Sequence, residues 1–289
     1  MNKYTEEQLI DMYSERRYKR WMKQRIKLRL SLLLNILLLG VSIVLAFLLF
    51  FPLQGSEQQQ DSDVRQDSEQ SNTTLNEMPS IPGRYVFLTF DDGPSPYTQQ
   101  ILDILNDRNA TGIFFVIGDR INIQQDAVEQ LNRILEEGHY IGLHSMTHEP
   151  SILYHGEGAP DRFVNEMLEL NQLISEITGG FSTNLCRAPF GMVGTFTSEH
   201  HVAVSQANLR CIDWNIDSND WEIRHAERIH ENVMSQVELL NFPDELVILF
   251  HEFSWTVEAL PGIIDDLRAN GYTIATYVPE HIFLYYRFR

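Results

Sequence analysis

The chain has 289 residues, 22 Lys and Arg against 40 Asp and Glu, a formal net charge of −18 and two cysteines. That length holds one large or two small domains with ample chain for a core; a 43% hydrophobic share argues against disorder over most of it, and two cysteines exclude a disulfide-dense miniature fold. The charge is divided: residues 1–56 carry nine basic and four acidic side chains, whereas residues 57–289 carry 13 Arg, no Lys and 36 acidic side chains, which sets nucleic acid aside as a partner.

In chain order, residues 1–29 form a basic tail. No charged side chain lies between Arg29 and Glu57, and residues 30–53 (LSLLLNILLLGVSIVLAFLLFFPL) are almost continuously apolar. At about 1.5 Å per residue such a helix reaches about 36 Å, enough for a hydrocarbon core of about 30 Å. The stretch is too long for the apolar core of a cleaved signal peptide and ends in Phe50-Phe51-Pro52 rather than a small-residue cleavage site, so it reads as an uncleaved transmembrane helix. The basic cluster before it predicts a single-pass protein of the cell membrane, with a cytoplasmic N-terminus and everything after Gly55 outside. Residues 54–80 are rich in Gln, Ser, Asp and Glu without periodicity and read as a disordered acidic linker. Residues 81–289 remain as one domain.

Within that domain, Tyr85–Phe90 is a strand by its aromatic and β-branched content, ending at Asp91-Asp92-Gly93-Pro94. Helices are predicted over 97–108, 126–137, 161–177, about 225–240 and about 257–269, and apolar runs at 112–117, 140–143, 209–214, 246–250 and 272–278. This alternation predicts an α/β fold with a mostly parallel sheet, open or closed into a barrel, whose chemistry sits at the carboxyl ends of its strands. The stripe Phe163, Met167, Leu170, Leu173 and Ile174 reads as ordinary helix core.

Those ends carry ionisable groups. Asp91 and Asp92 close the first strand, where one carboxylate is free to meet a metal and the other a substrate or water; alone, Asp-Asp-Gly is a common turn. His144 and His148, at i and i+4, meet one metal ion if the stretch turns helically, although a hydrogen-bonded or solvated histidine is the commoner case. Arg187-Ala188-Pro189-Phe190, Asp217-Ser218-Asn219-Asp220-Trp221 and Leu249-Phe250-His251 follow three further runs. The remaining histidines (139, 155, 200, 201, 225, 230 and 281) fit no ligand spacing and read as structural or solvated, and Cys186 and Cys211 as two separate buried thiols rather than a disulfide.

These five segments, in this order and over about 81–289, resemble the motif set of the polysaccharide deacetylases related to the NodB chitooligosaccharide deacetylase, carbohydrate esterase family 4. The resemblance implies a distorted (β/α) barrel of about seven strands. It implies that Asp92, His144 and His148 bind a divalent metal, usually zinc, with cobalt or another divalent ion as alternatives. Asp91 is then the general base, Arg187 its partner, His251 the general acid and Asp220 the group that orients it. The Phe190 backbone N–H helps hold an oxyanion, and Trp221 and Leu249 wall the substrate site. Glu252 stands where Asp is usual, and Phe190 where Tyr is common. The implied activity is removal of N-acetyl groups from N-acetylglucosamine residues of a glycan, with peptidoglycan as the nearest polymer for a membrane-tethered enzyme. The alternatives are an O-acetyl polysaccharide esterase of the xylan type and an anchored glycan-binding protein without turnover.

Overall fold

The computed structural model describes residues 83–281 and residue 283. The expected basic tail, transmembrane helix and linker lie outside these residues; among those described, no helix is long and apolar enough to cross a membrane.

Among the described residues eight strands form one sheet: β1 (Arg84–Gly93), β2 (Gly112–Val116), β3 (Tyr140–Leu143), β4 (Leu185–Cys186), β5 (Arg210–Cys211), β6 (Ile216–Asp217), β7 (Glu245–His251) and β8 (Tyr272–Ile274). Every pairing is parallel, and seven strands follow the order β5-β4-β3-β2-β1-β7-β6. β8 pairs with Arg84–Val86 of β1, ahead of the point where β2 joins at Leu88, so it fills the space beside the lower end of β1. Among the described residues β5 and β6 are not hydrogen-bonded to each other, so the barrel expected from the alternation is a curled, open half-barrel.

Nine helices lie among the described residues: α1 (Thr98–Asp107), α2 (Gly118–Ile123), α3 (Ala127–Glu136), α4 (Pro150–Leu153), α5 (Ala159–Ile177), α6 (Ser198–Gln206), α7 (Asp220–Ile223), α8 (Ala226–Leu239) and α9 (Ser254–Ala269). The five longest match the sequence expectation within three residues at each end, the largest difference being the start of α9 at Ser254. α2, α4, α6 and α7 were not anticipated; three of them are one or two turns long, too short to display a helical period. The run at 209–214 contributes only the two residues of β5 to the sheet.

The central strands are buried on both faces, as a parallel sheet demands. Val86, Leu88 and Phe90 of β1 join Phe114, Ile248 and Phe250 under the helices, against Leu102, Leu131, Leu170 and Ile263. The alternate residues Phe87, Ile113, Phe115, Leu185 and Val247 form a second core that includes no helix residue and is completed by Tyr277 and Phe283. The curl of the sheet encloses this second core. Its upper end turns polar: along β1, Phe87 is followed on the same face by Thr89 and then Asp91, both buried.

Candidate active site

The two adjacent carboxylates at the end of β1 are separated by backbone geometry. Asp91 keeps the strand alternation and faces the interior of the curl. Opposite β2 the register slips between Asp91 and Gly93, leaving Asp92 as the extra residue of a bulge with φ of +70°. A bulge re-aims a side chain, and Asp92 Oδ1 lies 3.3 Å from both His144 Nε2 and His148 Nε2.

The two histidines do not share a helix. The segment after β3 is a loop in which Ser145 (φ +70°) and His148 (φ +55°) both take left-handed backbone, and Ser145 Oγ accepts the His148 N–H at 2.8 Å. The i,i+4 spacing therefore works through a tight turn instead of the helical turn expected. α2 clamps this loop, since Gly118 N–H donates to Ser145 O and Asp119 N–H to Met146 O. His144 is held from its other side: its Nδ1 lies 2.9 Å from Arg187 O, a bond that requires the proton on Nδ1 and leaves the Nε2 lone pair facing Asp92.

Asp92, His144 and His148 each direct one ligand atom into a space where all three lie within 4.8 Å of one another, the one such cluster among the described residues. Asp92 Oδ1 is buried and accepts no hydrogen bond. Burial opposes its ionisation, yet the neighbouring imidazoles of His148 and His144, with His251, outweigh that and hold the carboxyl well below its usual range. Burial also holds His148 down to about 4 against the pull of Asp92, so its imidazole is neutral and able to donate a lone pair at pH 7. An ionised carboxylate whose Oδ1 accepts no hydrogen bond, with two imidazole Nε2 atoms facing it, fits a divalent cation.

Asp91 is fixed by Arg187, which is fully buried inside the curl. Arg187 Nη1 donates to Asp91 Oδ1 at 2.8 Å and to Thr89 Oγ1 at 2.7 Å, Nη2 to Asp213 O at 3.1 Å and Nε to Ile212 O at 3.3 Å. Its guanidinium lies 4.2 Å from the centre of the Phe115 ring and 5.6 Å from that of Trp214. With Oδ1 engaged, Asp91 turns Oδ2 toward His144, 3.7 Å from its Nε2.

The second pair stands at the end of β7. His251 Nδ1 lies 2.7 Å from Asp220 Oδ1, and Asp220 Oδ2 accepts the His251 N–H and the Thr256 hydroxyl, each at 2.7 Å. Burial works against a charge on His251, but Asp220 raises it to about 10, helped by Asp92 and Asp91. His251 is therefore protonated at neutral pH, with Nε2–H as its remaining donor. Next to it, burial pushes the Glu252 carboxyl up to about 7 although Thr98 and Ser95 donate to it.

The other expected residues line the surroundings. Phe190 takes left-handed backbone (φ +65°), and its ring centre is 4.6 Å from that of His148. Trp221 is half-buried on α7, beside Asp220. Leu249 is 3% exposed and pairs in register with Thr89 and Asp217. Cys186 and Cys211 are free thiols, as expected, and stand as register neighbours on β4 and β5, with Cys186 buried and Cys211 partly so. The histidines read as structural stand outside the cluster: His139 accepts from the Gly112 N–H, His200 bonds Leu153 O, and His230 and His281 pair with Asp266 and Glu245.

Several contributors escaped the sequence reading. The Thr89 hydroxyl donates a hydrogen bond to Ile248 O while accepting one from Arg187, Asp213 accepts the Met192 N–H at 2.9 Å just beyond Phe190, Tyr154 donates to Pro189 O, and Thr256 donates to Asp220. Only Thr89 left a signal, since it shares the two-residue period of β1 with Asp91.

A base candidate locked to a buried arginine, an acid candidate locked to a buried aspartate and a three-ligand cluster between them form a hydrolytic type of site at the carboxyl end of a parallel half-barrel. The polysaccharide deacetylase family model matches residues 79–212. A peptidoglycan-N-acetylglucosamine deacetylase of Bacillus cereus is 33% identical over 238 residues, covering 78% of this chain and 82% of that one. A chitooligosaccharide deacetylase of Sinorhizobium fredii is 31% identical over 206 residues, 68% of this chain and 91% of its own. The crystal structure of a polysaccharide deacetylase from Bacillus cereus superposes with a TM-score of 0.62 at 33% identity, over 69% of this chain and 95% of that one. The chain belongs to the polysaccharide deacetylase family, a family of hydrolases.

Proposed function

We propose that this chain is a metal-dependent N-deacetylase that releases acetate from N-acetylglucosamine residues of a cell-wall glycan, peptidoglycan first among them. The observation that carries the reading is the convergence of Asp91–Arg187 and His251–Asp220 on the Asp92, His144 and His148 cluster. The substrate follows the Bacillus cereus relative named for peptidoglycan.

Asp92 Oδ1, His144 Nε2 and His148 Nε2 would hold the ion, with zinc suited to this donor set and cobalt an adequate substitute. When bound, it supplies a more acidic water and a polarised acetyl carbonyl. Asp91 takes the proton of the attacking water on Oδ2, because Oδ1 is committed to Arg187. Arg187 fixes the direction of that carboxylate. The Phe190 N–H donates to the oxyanion that develops, a type of contact worth about 2.7–4 kcal/mol when one donor is lost. His251 delivers its Nε2 proton to the departing nitrogen, so the free amine and acetate leave with protons balanced. Asp220 keeps His251 protonated until that moment. Amine expulsion requires such an acid more than alkoxide expulsion from an ester does, and a histidine raised to about 10 suits the amide substrate.

The reading also places the domain outside the cell membrane on a single helix over residues 30–53 and a spacer over 54–80, supported by the apolar run and the basic residues ahead of it. Mass spectrometry of peptidoglycan and chitooligosaccharides after incubation with metal-loaded protein tests the activity: loss of acetyl groups from N-acetylglucosamine supports it, and acetate released from O-acetyl xylan alone refutes it. Protease shaving of intact cells tests the topology.

A further inference from the structure

α5 buries the stripe Ala159, Phe163, Met167, Leu170 and Ile174 against the core, and Glu166 lies in that stripe at 8% exposure. A carboxylate in a core stripe costs free energy that a Leu or Met at the same place would avoid. Among the described residues its hydrogen bonds go to one residue, with no ion pair to compensate it: Glu166 accepts the Thr147 N–H at 3.1 Å and the Thr147 hydroxyl at 2.8 and 3.0 Å. Thr147 Oγ1 accepts in turn from the Glu149 N–H. Thr147 directly precedes His148, whose left-handed backbone is a conformation that non-glycine residues hold only when their surroundings impose it. α2 holds the first half of the loop through Ser145 O and Met146 O, and Glu166 holds the second half through Thr147.

We propose that Glu166 is a positioning residue for His148, fixing the 145–149 loop so that His148 Nε2 faces Asp92, and thereby sets the affinity for the divalent ion. This rests on the reading of Asp92, His144 and His148 as the metal site. It explains why a polar side chain persists where the helix period calls for an apolar one. Groups that orient ligands from outside the coordination sphere change metal affinity by about 10–100-fold when removed.

The test is Co2+ titration of the full-length chain, followed by the visible absorption of the bound ion and by competition with a chelator, beside the thermal midpoint of the metal-free chain. Glu166→Met weakens Co2+ binding about 10–100-fold with a midpoint equal to or above wild type. Glu166→Gln, whose amide oxygen still accepts both Thr147 donors, stays within about threefold of wild type. Thr147→Val removes the hydroxyl part of the linkage and weakens binding in the same direction by less than Glu166→Met, and the double variant falls short of the sum of the two single effects, since both act on one linkage. Thr147→Val and Glu166→Gln decide the matter if Glu166→Met fails to fold. Wild-type affinity in Glu166→Met or, should it not fold, in Thr147→Val overturns the proposal, as does a Gln variant as weak as Met. A wild-type chain that binds no Co2+ overturns the metal reading itself, whereas a binding wild type with unaffected variants removes this inference alone.

Discussion

Asp91 and Arg187, 96 positions apart in the chain, meet at 2.8 Å inside the curl of the sheet with both side chains almost wholly withdrawn from solvent. Each is unaffordable there without the other: a lone buried guanidinium or carboxylate loses its hydration with nothing in return. The pair therefore joins folding to chemistry, because the residue that orients the base candidate also stitches β1, β4 and the segment before β6 together.

Arg187→Met leaves Asp91, Thr89 and two backbone carbonyls without their donor. It is expected to destabilise the fold by about 3–5 kcal/mol, the cost of breaking a buried pair from one side. Urea denaturation of the metal-free chain measures this, and an unchanged midpoint would contradict the account.

Asp91→Asn keeps size and hydrogen bonding to Arg187 but removes the proton acceptor. Acetate release falls at least about 10²-fold, the lower end of general-base contributions, while Co2+ affinity changes little. Retained turnover with intact metal binding would assign the base elsewhere.

Asp220→Asn bears on pH. His251, raised to about 10 from 6.5, acts as an acid below its pKa, so activity is lost as pH rises through that value. Without the Asp220 charge the pKa falls, and the alkaline limb of the kcat profile moves to lower pH by at least about one unit. The same raised pKa gives wild type a stability contribution that is full below pH 6.5 and lost toward pH 10; the variant, with only Asp92 and Asp91 left to raise it, shows a smaller slope. Paired pH–rate and pH–denaturation curves read both effects.

Glu252 works with the opposite consequence for its charged form. Its carboxyl is raised from 4.5 to about 7 by burial, and Oε1 has no hydrogen-bond partner. The native state holds the proton more tightly than the unfolded chain, so stability is greatest below pH 4.5 and declines as pH rises to about 7. Glu252→Gln in the metal-free chain is therefore expected to gain on the order of 1–2 kcal/mol at pH 8 and almost nothing at pH 4. An equal change at both values would show that ionisation of Glu252 is not the cause.

Much of this molecule follows from local pattern. The helices of ten residues or more declare themselves by apolar period, and β1, β2, β3 and β7 by short apolar runs, because burial on one face or on both leaves a repeat in the chain. The ionisable residues at strand ends were legible for the same reason: a strand stops where the polar group begins. The tertiary structure decided what those groups do to one another. The bulge that swings Asp92 away from Asp91, the left-handed turn that substitutes for a helix between His144 and His148, the bonds of Asp220 to His251 and Thr256, and the reach of Glu166 to Thr147 all depend on which segments the sheet brings side by side. A period records burial along one element; a hydrogen bond between distant elements leaves no period. Whether the sheet closes was undecided for the same reason, since it rests on the absent β5–β6 pairing and on no residue taken alone.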